Sequence, residues 1–118
     1  MPSFTLTARV VLHKDDARAQ EHSPDAKEYD TLHKEMHSRG YRRCYTGKDK
    51  VMYQLLPGEY KINLEAEDGV EARTKAMDKA IAAATIATSK ERHGVYVTGG
   101  DSVRGHQLKV ITKDPDAN

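Results

Sequence analysis

Phe4-Thr5-Leu6-Thr7-Ala8-Arg9-Val10-Val11-Leu12 is the stretch whose reading decides the fold. Phe4, Leu6, Ala8, Val10 and Leu12 fall on one side of it, and Thr5, Thr7 and Arg9 on the other. Successive strand side chains point to opposite faces, so the pattern is that of a half-buried strand with one face on a core.

Moving outward, the periodicity disappears between Lys14 and Asp25, a polar loop. Ser23 or Asp25 stands where a helix cap is wanted, and Pro24 suits a first helical turn. Tyr29, Leu32 and Met36 then recur at helical spacing until Gly40 stops the helix. Residues 41–46 read as a short strand, and Gly47-Lys48-Asp49 as a hairpin turn. Residues 51–65 read as one long strand bent at Pro57-Gly58, with two separate strands as the alternative, because proline donates nothing to a ladder. Asp68-Gly69 opens a second helix running to about Lys90, with Val70, Met77, Ala80, Ile81 and Ala84 as its apolar stripe. Val95-Tyr96-Val97 is a short strand, Gly99-Gly100-Asp101 a turn, and residues 107–112 an additional edge strand.

The expectation is an α+β domain over residues 1–112: a four-stranded antiparallel sheet ordered β-α-β-β-α-β with two helices on one face, the ferredoxin-like fold. Residues 113–118 are expected to form a disordered tail. Leu6, Val10, Leu32, Met36, Ile62, Met77 and Ile81 are expected to share the core. At 118 residues the chain is too short for two ordinary domains.

With 19 basic and 18 acidic residues, the chain lacks the strong basic excess of a dedicated nucleic-acid binder, so any such contact must come from a local patch. The single Cys44 has no partner for an internal disulfide or a cysteine zinc site. The start Met1-Pro2-Ser3-Phe4 has no basic-then-apolar leader pattern, and the apolar run near residues 80–87 is far below the ~20 residues of a membrane span. A cytoplasmic protein without membrane association, monomeric or homodimeric, is expected.

Residues 39–48 pack four basic residues and two tyrosines into ten positions. Arg42, Arg43 and Lys48 suit phosphates, and Tyr41 and Tyr45 offer stacking faces to unpaired bases. The structural alternative is an edge hairpin protected by charge. His33 and His37, four apart on a helix, have a metal pair's spacing but no third ligand, and Lys34 occupies the place of a zinc protease's glutamate. No metal or cofactor is expected there. Asp15 and Asp16 are ordinarily solvated in such a loop, although oxygen-ligand magnesium sites recruit similar pairs. His13 closes the first strand on its outer face, either as an acid–base group beside the hairpin or as a solvent-facing imidazole.

Several segments in order carry a family resemblance. They are Val11-Leu12-His13, Tyr29-x-x-Leu32-His33-x-x-Met36-x-x-x-Gly40-Tyr41, Tyr53-Gln54-Leu55-Leu56-Pro57-Gly58-Glu59-Tyr60, the alanine-rich second helix, and Val95-Tyr96-Val97-Thr98. Together they resemble the GhoS-type antitoxins of type V toxin–antitoxin systems, over residues 4–112. The resemblance implies a ferredoxin-like fold and an endoribonuclease that cleaves a toxin's single-stranded messenger. It assigns His13, His33 and Arg43 as catalytic candidates. The loop from Lys14 to Pro24 is longer than is usual in that family. The alternative is a non-catalytic protein that inhibits or regulates a protein partner, encoded on a mobile element.

Overall fold

The alternation of residues 4–12 is realised as β1 (Ser3–Leu12), the middle strand of a sheet. The structure is a computed structural model describing residues 1–100 and 107–117. Leu6, Ala8, Val10 and Leu12 are fully buried, all on one face of β1. That face is covered by α1 (Lys27–Ser38), through Tyr29, Leu32 and Met36, and by α2 (Gly69–Ala87).

Among the described residues, the remaining elements are β2 (Cys44–Thr46), β3 (Met52–Gln54), β4 (Glu59–Glu65), β5 (His93–Gly100) and β6 (Val110–Ile111), with one 3-10 turn at Lys90–Arg92 before β5. They form two antiparallel three-stranded sheets, ordered β4-β1-β5 and β2-β3-β6. The sheets meet at one point, where Arg42 and Lys61 exchange backbone hydrogen bonds of 2.7 and 2.8 Å just before β2. The domain is thus α+β, with two helices. Residues 51–65 are not one strand: β3 and β4 belong to different sheets, and Pro57-Gly58 is the turn between them. Gly58 has φ +81°, and a Cβ there would stand 3.0 Å from the Val10 carbonyl oxygen, so the turn requires glycine.

Two expectations about the ends of elements change. Gly99 does not turn the chain but continues β5 opposite Leu6, with φ +108° and room for no Cβ beside the Thr5 carbonyl oxygen. Asp101 lies outside the described residues. Ala26 rather than Ser23 or Asp25 stands at the start of α1, and no side chain caps it. The edge strand expected over residues 107–112 appears as β6, two residues long and paired with β3.

Of the stripe expected on α2, Ala80 and Ala84 are buried and Met77 is half-buried, but the rest of the buried face is Ala72, Ala76 and Ala83, whereas Ile81 is 41% exposed and Val70 is more exposed still. Helix axes pack 8–10 Å apart depending on the side chains between them, and the alanine face permits the close end of that range. An isoleucine in the seam would push the helix off the sheet, so it lies outside. Asp68 caps this helix, accepting from the Glu71 N–H at 2.8 Å. Asp68→Ala should cost about 1 kcal/mol in denaturant unfolding, the usual loss of such a cap.

Candidate functional site

The polar loop after β1 is a built structure. Lys14 N–H donates to the Gln20 carbonyl at 2.8 Å, and His22 N–H to the Leu12 carbonyl at 2.9 Å. Asp15 closes the excursion by accepting from the Ala19 and Gln20 N–H groups, and the Gln20 bond chiefly holds its carboxyl below the ordinary value. Asp16 accepts from Arg92 at 2.8 Å. Both carboxylates are therefore engaged by the protein itself. The return of the loop alongside the end of β1 carries Glu21 and His22 toward α1.

There they meet a cleft of about 370 Å³ lined by β1, this loop, α1, Arg43 and the segment around Pro57-Gly58. Its polar lining includes Arg9, Glu21, His22, Tyr29, His33 and Arg43. Two histidines and two arginines thus line one opening, with Arg9 Nη1 4.0 Å from Glu59 Oε1. Sequence reading had found His33 and Arg43 but passed over His22, which sits in a loop without periodicity.

His33 is fixed from its Nδ1 side, 2.8 Å from the Tyr60 hydroxyl. Its Nε2 makes no hydrogen bond among the described residues and is the nitrogen left for a ligand. Burial first, and then the Arg43 charge, lower the His33 pKa, with Asp116 and Asp30 opposing. The imidazole is consequently neutral at neutral pH. Tyr60 is almost fully buried, and burial raises its pKa, so it keeps its proton. Tyr29, also in the lining, is anchored by accepting the Leu12 N–H at 2.9 Å. His22 Nδ1 stands 3.9 Å from Glu28 Oε1.

The other expected residues are dispersed. His13 is buried rather than on an outer face, and it does not line the cleft; its Nδ1 has no hydrogen-bond partner among the described residues. The reason is local: the loop folds back over the end of β1, pairing residue 13 with Glu21. Tyr41 is 1% exposed and donates to the Ala76 carbonyl at 2.7 Å, which makes it a core anchor with no face open to a base. Arg42 donates to the His37 and Tyr41 carbonyls and pairs with Asp114 at 3.2 Å. Arg43 makes a two-pronged contact with Asp116, 2.8 Å from Nε and 2.7 Å from Nη2. Tyr45 stacks on Tyr53 across the β2–β3 hairpin, with ring centres 5.6 Å apart. With Lys48 these two line a separate shallow hollow. The ten-residue patch is therefore divided among the core, the cleft and the hairpin tip.

His37 Nε2 lies 3.0 Å from Asp114 Oδ2. Among the described residues, no three His, Cys, Asp or Glu side chains gather as a metal site would require. No described helix is long and apolar enough to cross a membrane. No family model, curated protein or solved structure matches the chain.

Proposed function

We propose that the protein is a metal-independent endoribonuclease acting on single-stranded RNA, with the cleft of His22, His33, Arg9 and Arg43 as its active site. The observation that carries this reading is that two histidines and two arginines line one cleft. Strand cleavage next to a 2′-hydroxyl needs a base for that hydroxyl, an acid for the departing 5′-oxygen and cations for the phosphorus-bound oxygens. Neutral His33, in the tautomer whose Nδ1–H donates to the Tyr60 oxygen, takes the 2′-proton on Nε2 as the 2′-oxygen bonds to phosphorus. His22 gives a proton to the 5′-oxygen as the P–O5′ bond breaks. Arg43 and Arg9 hold the phosphate oxygens. The products are a 2′,3′-cyclic phosphate and a 5′-hydroxyl.

The resemblance to the GhoS-type antitoxins supports the same activity, on a toxin's messenger in the cytoplasm. The strand order β4-β1-β5, extended beyond β4 by the Arg42–Lys61 bridge, is compatible with the ferredoxin-like arrangement proposed for that family. The competing reading is a non-catalytic inhibitor of a protein partner. It is favoured by the pairing of Arg42 and Arg43 with acidic side chains, which removes their charge from the surface. The test is incubation of the purified protein with single-stranded oligoribonucleotides of mixed sequence in excess chelator, with analysis of the product ends. Cyclic-phosphate ends formed despite the chelator are expected. Intact RNA, or cleavage that the chelator abolishes, would sink the ribonuclease reading.

A further inference from the structure

Residues 113–117, expected as a tail without order, place two carboxylates on the basic residues flanking the cleft. Asp116 engages Arg43 through both of its oxygens, and Asp114 engages His37 and Arg42. Asp116 N–H also donates to Asp114 Oδ1 at 2.8 Å, so the two acids are held as a unit. We infer that this pair occupies a binding site for two successive phosphates of a nucleic-acid strand, and that the segment must leave before the strand binds. The inference deepens the ribonuclease reading and rests on it for the polymer's identity.

Three observations point the same way. Arg43 lines the cleft that holds His22 and His33, so its present partner sits at the mouth of the proposed active site rather than on a remote surface. The guanidinium fork that accepts a carboxylate through two parallel bonds accepts a phosphate in the same way. The segment is also held without backbone pairing. Among the described residues, residues 113–117 make no backbone hydrogen bond to the rest of the chain. The Asp114 and Asp116 side chains are 19% and 11% exposed, and no apolar side chain of the segment enters the core. Its attachment is a set of ion pairs, which a polyanion can replace one for one.

The arrangement also accounts for the near-neutral charge of the chain. Displacing two carboxylates exposes Arg42 and Arg43 on adjacent residues, creating a local basic patch in a molecule with little net charge. The apparent affinity for RNA scales with the fraction of molecules from which the segment has left.

The decisive probes are a 2′-O-methyl oligoribonucleotide, which lacks the attacking hydroxyl and cannot be cut by the proposed route, and inorganic phosphate. Binding of each is measured to the full chain and to Asp114→Asn/Asp116→Asn. The double variant should bind the oligomer about tenfold more tightly or better, about 1.4 kcal/mol per tenfold. It should gain much less for inorganic phosphate, which spans one position only. Unchanged or weaker oligomer binding in a folded double variant overturns the inference, as does a gain confined to inorganic phosphate. A second readout uses the unaltered chain. On saturation with oligomer, the Asp116 and Ala117 amide resonances should move to unstructured-chain positions, and resonances that stay in place overturn displacement. Because the probe is uncleavable, these results stand apart from catalysis. Tighter binding without any RNA cleavage removes the enzyme and leaves the phosphate site. Cleavage with unaltered affinity removes the displaced segment and leaves the enzyme.

Discussion

Replacing His33 by alanine should lower RNA cleavage by about 10²–10⁴-fold, the usual contribution of a general base. The direction of its pKa adds a second signature. Burial and Arg43 hold the imidazole's pKa below the ordinary histidine value of 6.5. A base works when neutral, so the acid limb of the profile should have its midpoint below pH 6.5, at the lowered pKa. Arg43→Gln removes a charge that disfavours the imidazolium, so the acid limb of the residual activity should move toward higher pH. The contrast is His13→Ala. His13 lies outside the cleft lining, so its loss should change stability while leaving the shape of the pH profile intact. Rates are measured at saturating oligomer across pH 4.5–8, roughly two units to either side of the reference value. A His33→Ala protein that cuts at the wild-type rate would show that the neutral imidazole is not the base.

The difference between His13 and His22 marks how far this site was legible in the sequence. His33 and Arg43 were found because a helix period and a compact basic stretch drew attention to them. His22 was not, because its position depends on a loop that doubles back on β1 through hydrogen bonds such as His22 N–H to the Leu12 carbonyl. Backbone pairing of this kind leaves no period in the side chains. The same return explains why His13, which a straight strand would have exposed, is covered. Nor could the pairing of Arg43 with Asp116 be read from order along the chain, since 73 positions separate them and only the folded chain brings them together.

The fold was clearer than the site, but unevenly so. The period-two pattern of β1 is strong, and the structure keeps each of its alternate residues from Leu6 to Leu12 in the core. The stripe on α2 was misread because large apolar residues were given the inner face by default. Alanine carries little hydrophobic weight, yet a run spaced as Ala72, Ala76, Ala80 and Ala83 forms a flat surface that lets two helices and a sheet approach closely. Residues 51–65 held the two-strand answer in Pro57-Gly58, a turn that no continuous ladder accommodates.

That correction separates two substitutions which a simple apolar pattern would treat alike. Leu6→Ala should destabilise the protein by about 2–5 kcal/mol. Leu6 is completely buried, and in β1 it stands between Ile62 on one neighbouring strand and Gly99 on the other. Gly99 has no side chain to fill a void, and the central strand cannot shift toward either neighbour without breaking a ladder. The cavity therefore remains open, which places the cost toward the upper end of the range. Ile81→Ala should cost about 1 kcal/mol or less, because the side chain is 41% exposed and alanine is also the better helix former. Denaturant titration reads both: the midpoint of Leu6→Ala should fall sharply with the slope unchanged, while that of Ile81→Ala stays near wild type. Equal losses for the two would mean that α2 turns Ile81 inward and that its alanine face is not the packed one.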